Sequence, residues 1–185
     1  TGDAQWDQTF GGTSDDGCFY LFNQMMPFVD VTQADDGGYA LATLTFSFDG
    51  AWGDFWMLKT NSTGNLQWNH TLGGAFQDWG FSVVQTFDGG YAWAGLTASY
   101  SEHSEGWLIK TDPAGTICWN RTYTVGQVFS MVQTDDGGYV LAGFAPVRDM
   151  WLIKVSGESA EHQRNLSTDL GLAWTVLTNN TITLH

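Results

Sequence analysis

Short runs rich in Val, Ile, Leu, Ala, Trp and Tyr recur along the chain, and each is stopped by Gly, Asp or Asn. The middle of the sequence shows the pattern most plainly. Residues 81–86 (Phe-Ser-Val-Val-Gln-Thr) read as a strand, and Phe87-Asp88-Gly89-Gly90 as a tight reversal in which glycine can take positive φ. Residues 91–96 return, a loop covers 97–105, and 106–111 form a third strand. Asp112-Pro113-Ala114-Gly115 then turns the chain into a fourth strand over 116–122. Four antiparallel strands in roughly 50 residues match one propeller blade in size and order. Only 159–169 has even a faint helical spacing.

The same unit is written three times. Its reversal is Asp35-Asp36-Gly37-Gly38-Tyr39, then Phe87-Asp88-Gly89-Gly90-Tyr91, then Asp135-Asp136-Gly137-Gly138-Tyr139. Its third strand is Trp56-Met57-Leu58-Lys59, then Trp107-Leu108-Ile109-Lys110, then Trp151-Leu152-Ile153-Lys154. A period of about 50 residues made of short strands signals stacked or propeller-like β units. After Lys154 the expected continuation, Gly-x-x-x-Trp-x-x-Thr-x-Gly-Gly, is missing, and it stands at the opposite end as residues 2–12. The fold expected is therefore all-β: three propeller-like four-stranded antiparallel units, circularly offset, with a C-terminal strand pair. The repeat domain is 1–155, with units at about 13–71, 75–122 and 126–155 and with 3–9 as the outer strand of the third. A polar linker, 156–171, and a β segment, 172–185, complete the chain.

The first copy is longer. Gly12 to Tyr39 spans 27 positions against 17 from Gly74 to Tyr91, a difference of ten, and the excess falls near 21–28. Asn23-Gln24-Met25-Met26-Pro27-Phe28 reads as a loop or bulged strand folded over its own unit.

With 10 Trp, 12 Phe, 6 Tyr and 23 Gly against 14% charged residues, the composition is that of a turn-rich β protein. A formal charge of −14 repels phosphate backbones, so nucleic acid is not an expected partner. No apolar run approaches the ~18 residues that a membrane span needs. Opening on Thr1, the sequence reads as a mature, secreted product whose leader has been removed. Cys18 and Cys118 form no metal-binding pair, and a single disulfide between them is possible in an oxidising compartment.

Taken together, Trp-x-x-Thr-x-Gly-Gly, Gln-Thr-x-Asp-Gly-Gly-Tyr-x-x-Ala-Gly and Trp-Leu-Ile-Lys-Thr-Asp-x-x-Gly-x-x-x-Trp resemble repeats of secreted archaeal and bacterial β-propeller-like proteins. The segments Thr60-Asn61…Gly64…Trp68 and Thr111-Asp112…Gly115…Trp119 also look like the tryptophan-docking motif of quinoprotein-type propellers. That resemblance implies that Trp6, Trp68 and Trp119 pack between neighbouring units. It covers residues 1–155, and 172–185 are similar to a C-terminal stretch of archaeal members. The family has more repeats than the three present, and Thr122-Tyr123-Thr124-Val125-Gly126 stands where Thr-x-Gly-Gly is expected.

Little in the sequence points to catalysis. The Asp-Gly-Gly loops could hold calcium, but they lack alternating oxygen-ligand spacing and read as hairpin turns. No cofactor is expected beyond that. His70, His103, His162 and His185 have no second His or Cys at ligand spacing, so zinc is not expected. No nucleophile elbow, paired catalytic carboxylate or phosphate-cradling loop recurs. Trp52 and Trp79 fall outside the repeated Trp positions and are the candidates for stacking on a ligand. Five sequons (Asn61, Asn69, Asn120, Asn165 and Asn179) point to N-glycosylation, and Asn69 and Asn120 directly follow a docking Trp. The expected function is non-enzymatic: an extracellular, glycosylated surface or filament subunit that self-assembles by β-strand pairing. The alternative is a monomeric module that binds glycan or another surface ligand.

Overall fold

The computed structural model describes residues 2–21, 24–48, 52–124, 126–145, 149–157, 177–178 and 181–182, and among them the chain is all-β. In unit one the strands β3 (Asp30–Gln33), β4 (Tyr39–Thr45), β5 (Asp54–Thr60) and β6 (Leu66–Leu72) pair in sequence order. Unit two repeats this with β7 (Asp78–Gln85), β8 (Tyr91–Thr97), β9 (Glu105–Thr111) and β10 (Ile117–Tyr123). Unit three has three strands, β11 (Gln127–Gln133), β12 (Tyr139–Phe144) and β13 (Met150–Val155). All pairings are antiparallel. Two small hairpins complete the set, β1 (Cys18–Leu21) with β2 (Gln24–Pro27) and β14 (Leu177–Thr178) with β15 (Thr181–Ile182), the latter beside β10. The faint helical stretch 159–169 and most of the expected terminal strands lie outside the described residues.

Each Asp-Gly-Gly reversal uses its two glycines for different reasons. Gly37, Gly89 and Gly137 have φ of 80°, 80° and 78°, the left-handed conformation that closes the hairpin. Gly38, Gly90 and Gly138 instead lie against the end of the third strand. A Cβ on them would stand 2.0, 2.2 and 2.5 Å from the carbonyl oxygens of Thr60, Thr111 and Val155.

The units stack face on face. Ala40, Ala42, Phe55 and Met57 of unit one meet Val83, Tyr91, Trp93, Trp107 and Ile109 of unit two. Ala92, Ala94 and Leu108 on the far face of unit two meet Val128, Met131, Tyr139, Leu141 and Val155 of unit three. Small alanines on the leading face make room for the large side chains of the next unit. Full burial of one such side chain contributes about 2–3 kcal/mol. Extensive sheet-to-sheet contacts join unit one to two and unit two to three, and among the described residues none of comparable extent joins unit three to one.

The long first copy is explained by an inserted hairpin. Asp16 bridges Thr45 as Asp78 pairs with Thr97, and Asp30 pairs with Ala42 as Ser82 pairs with Ala94. Between these anchors Gly17 donates to Leu44 O at 2.9 Å and Phe28 donates to Gly17 O at 3.0 Å, so the chain leaves the strand and rejoins it one hydrogen bond later. The ten residues between are 18–27, a hairpin rather than the loop or bulge expected. The other units carry a register shift at the same place, at Phe81 and at Phe129.

The N-terminal segment differs from expectation. Residues 2–12 form no strand and do not pair with β13; Trp6 lies instead against Tyr39 of unit one, ring centroids 5.6 Å apart.

Candidate functional site

The repeated Lys of the Trp-led strand and the Asp of the reversal form one device. Cross-strand pairing of Ala40 with Lys59 and Ala92 with Lys110 brings each lysine back beside its own turn. The ammonium to carboxylate distances are 2.7 Å for Lys59–Asp36, 2.9 Å for Lys110–Asp88 and 2.6 Å for Lys154–Asp136. Lys59 and Lys110 also donate to Thr60 O and Thr111 O at 2.7 and 2.8 Å. The Lys59 hydrogen bond and the Gly38 N–H hold Asp36 below the usual carboxylate range. At Asp88 burial pushes the pKa up, but bonds from Thr86, Lys110 and Gly90 outweigh it and the net shift is downward. One carboxylate of each reversal, Asp36, Asp88 or Asp136, is thus partnered by lysine, and among the described residues no group of three His, Cys, Asp or Glu converges.

The second device is the docking Trp. Trp68 meets Tyr91 and Trp93 of unit two edge-on, with centroids 6.1 and 6.0 Å away, and Trp119 meets Tyr139 of unit three at 6.1 Å. Trp68 also covers Gly115 of unit two, where a Cβ would lie 3.0 Å from the indole. Trp6 repeats this on unit one, over Tyr39 and over Gly64, where a Cβ would lie 2.6 Å from the ring. The Gly and the Trp of one motif therefore serve successive junctions: the Gly receives the Trp of the preceding unit. Trp68 and Trp119 are half-buried, and Trp6 is 43% exposed.

A repeated polar contact crosses each junction. Asp35 N–H donates to Gln85 Oε1 at 2.8 Å across the first, and Phe87 N–H to Gln133 Oε1 at 2.9 Å across the second. The Trp opening each third strand is satisfied by the residue after the docking Trp in the fourth. Trp56 Nε1 donates to Asn69 Oδ1 at 3.1 Å, and Trp107 Nε1 to Asn120 Oδ1 at 3.3 Å. In unit three Trp151 Nε1 is buried without an acceptor among the described residues.

A third device is present twice and lost once. Asp78 accepts from Thr97 and from Ser99 Oγ at 2.5 Å and binds Gly74 N–H at 2.9 Å. Asp16 does the same with Thr45, with Ser47 at 2.7 Å and with Gly12 N–H at 2.7 Å. At the shortened junction into unit three Gly126 and Ala145 replace the Asp and the Thr. A cleft of 710 Å³ opens there, lined by Glu102, His103, Glu105, Gln127 and Phe144 among others.

The ends of the stack are unlike. On β12 and β13 the pairs Phe144–Met150 and Ala142–Leu152 lie on the leading face of unit three. Leu108, the counterpart of Leu152, is fully buried, whereas Leu152 is 70% and Met150 80% exposed. The lysine side chains follow the same gradient, 3% exposed at Lys59, 6% at Lys110 and 43% at Lys154. At the other end Val29 and Val31 of unit one are exposed.

The remaining expected residues are dispersed. Asn69 is exposed and Asn120 half-buried. Asn61 caps its own turn, accepting from Thr63 and Asn65 N–H at 3.0 and 2.9 Å. Asn165, Asn179, His162 and His185 lie outside the described residues. Trp52 is exposed, and its carbonyl accepts from Trp79 Nε1 at 3.1 Å; Trp79 in turn stacks on Phe28 at 6.0 Å. Phe28, Phe81, Phe129 and Phe144 form a continuous aromatic row with centroid spacings of 5.1, 4.7 and 5.8 Å, which the sequence did not announce. Cys18 and Cys118 are both thiols. Among the described residues no helix is long and apolar enough to cross a membrane. Compared with protein-family models and with curated proteins, the chain matches none.

Proposed function

We propose that this chain is a non-enzymatic structural subunit that assembles head to tail by strand complementation. One observation carries the reading: residues 3–9 have the sequence of a fourth strand and are docked on unit one by Trp6, while β13 has no fourth strand among the described residues. An edge of this kind is a template for another chain, and a heterologous contact that does not close gives a filament. The acidic surface, the sequons at Asn69 and Asn120 and the resemblance to secreted archaeal and bacterial repeats support an extracellular, glycosylated setting on a microbial, archaeal surface. Asn69 and Asn120 use Oδ1 toward Trp, which leaves Nδ2 as the atom for a sugar.

Native mass by light scattering, with electron microscopy, tests the proposal. Polymers are expected, and removal of residues 1–10 should abolish them. Unchanged assemblies after that removal would refute strand complementation.

A second reading is favoured by the cleft between units two and three. There Phe144 offers an apolar face among Glu102, Glu105 and Gln127, a combination suited to a sugar. A protein that stays monomeric at 20.4 kDa and binds a glycan there would establish that reading instead.

A further inference from the structure

Trp151 is the one member of its repeat set whose buried indole N–H lacks an acceptor among the described residues: Trp56 has Asn69 and Trp107 has Asn120. In both complete units the acceptor is the residue directly after the docking Trp on the fourth strand. The chain holds one further docking Trp, Trp6, and the residue after it is Asp7. A carboxylate accepts from an indole N–H as readily as an amide oxygen does. Asp7 is exposed, and the strand it would belong to is unpaired.

The repeats also set the register. On β5 and β6 Lys59 faces Trp68, Leu58 faces Asn69 and Trp56 faces Thr71; on β9 and β10 Lys110 faces Trp119, Ile109 faces Asn120 and Trp107 faces Thr122. Transferred to unit three, Trp6 faces Lys154, Asp7 faces Ile153, Gln8 faces Leu152 and Thr9 faces Trp151. Within one chain this cannot form on the observed packing, because Trp6 is seated on Tyr39 and Gly64 of unit one and unit two stands between that unit and β13. Between two copies both contacts are compatible. Trp6 keeps its seat on its own unit one, as Trp68 sits on unit two while its strand belongs to unit one. The backbone of 3–9 meanwhile completes the sheet of the preceding copy. The exposed leading face of that copy, with Phe144 and Leu152, then covers Val29 and Val31.

We propose that Asp7 of a second copy accepts the Trp151 indole hydrogen and fixes the register of the donated strand. This rests on the assembly reading above. The test uses the full chain, made in a host without N-glycosylation because Asp7→Asn creates a sequon, and reads the critical concentration for polymer formation by sedimentation. Loss of a buried hydrogen bond of this kind weakens an interface about tenfold. Asp7→Ala should therefore raise the critical concentration about tenfold, and Asp7→Asn, which restores the acceptor found at Asn69 and Asn120, should leave it near that of the unaltered chain. With Trp151→Phe in place, adding Asp7→Ala should cause no further loss. Thermal unfolding of dilute monomer controls for folding, since Asp7 is exposed. If Asp7→Ala polymerises like the unaltered chain, the Asp7–Trp151 contact is wrong while strand complementation survives. If the unaltered chain stays monomeric at every concentration, the assembly reading fails and this inference fails with it.

Discussion

Lys110 lies almost wholly inside the stack with its ammonium 2.9 Å from the carboxylate of Asp88, whereas its counterpart Lys154, 2.6 Å from Asp136, is open to water. The distances are alike; the surroundings differ because unit three covers the first pair. Breaking a buried pair leaves an uncompensated charge, typically at ~3–5 kcal/mol, and the partial exposure of Asp88 reduces this to about 2 kcal/mol. Asp88→Ala should therefore lower stability by about that much in denaturant titration. Asp136→Ala should shift the midpoint less, because water screens its pair. Equal losses would show that the covering unit plays no part.

Acid should unfold the protein through these same turns. Asp36, Asp88 and Asp136 all have folded-state pKa values below the ordinary one, from lysine, threonine and backbone hydrogen bonds that outweigh burial where burial opposes them. Asp16 joins them: burial raises it, and the bonds from Thr45, Gly12 and Ser47 more than offset that. Groups with lowered values contribute stability above their unfolded pKa, near 4, and lose it as pH falls through the folded values. Melting temperature should be level from about pH 5 to 8 and drop below about pH 4. At the alkaline end burial pushes the Tyr91 phenol up to about 12, so its contribution, full below pH ~10, fades toward that value.

The two glycines of a reversal should respond differently to the same change. Gly137→Ala meets nothing within 4 Å and suffers only its φ of 78°, a cost of about 1–2 kcal/mol. Gly90→Ala drives a methyl to 2.2 Å from Thr111 O, with backbone on both sides of the clash. It should either prevent folding or cost more than about 3 kcal/mol, in the range of the most damaging single substitutions. Chemical unfolding of the two variants side by side decides this.

Docking tryptophans should rank by what covers them. Trp68→Ala and Trp119→Ala should each cost about 3 kcal/mol, the lower end for a large aromatic, because each ring is only half-buried. In the monomer Trp6→Ala should cost about 1 kcal/mol, since Trp6 is 43% exposed. A Trp6 loss equal to that of Trp68 would mean the N-terminal segment is already built into a sheet.

The thiols offer a chemical check. Burial first, then the charges of Asp15 and Asp16, raises the Cys18 pKa, while Cys118 is exposed on β10. Iodoacetamide should label Cys118 well before Cys18 at pH 8, read by peptide mass spectrometry.

Much of this architecture was legible because each repeat states its own boundaries. The Asp-Gly-Gly reversals and the Trp-led strands located the sheets, and the ten-residue excess of the first copy matches the hairpin at 18–27. The form of that insertion was hidden, since Pro27 and the Met pair argue against a regular strand. The Asp–Lys pairs were missed although both partners recur in every copy, because their meeting depends on cross-strand register. The 3–9 segment reads as a strand from its pattern, yet a strand exists only where an edge receives it, and among the described residues of one chain none does. The unsatisfied indole of Trp151 could not have been read from the sequence, which shows the same Trp in all three copies.

The hairpin at 18–27 leaves the first strand where its two counterparts carry the single displaced residues Phe81 and Phe129. A ladder already out of step at that point loses no further hydrogen bonds when more chain is let out, because Gly17 and Phe28 rejoin across the gap. The same position in the other two units is therefore a port. Foreign loops entered beside Phe81 or Phe129 should be tolerated by the ladder as long as both rings keep their places in the aromatic row that crosses the junctions.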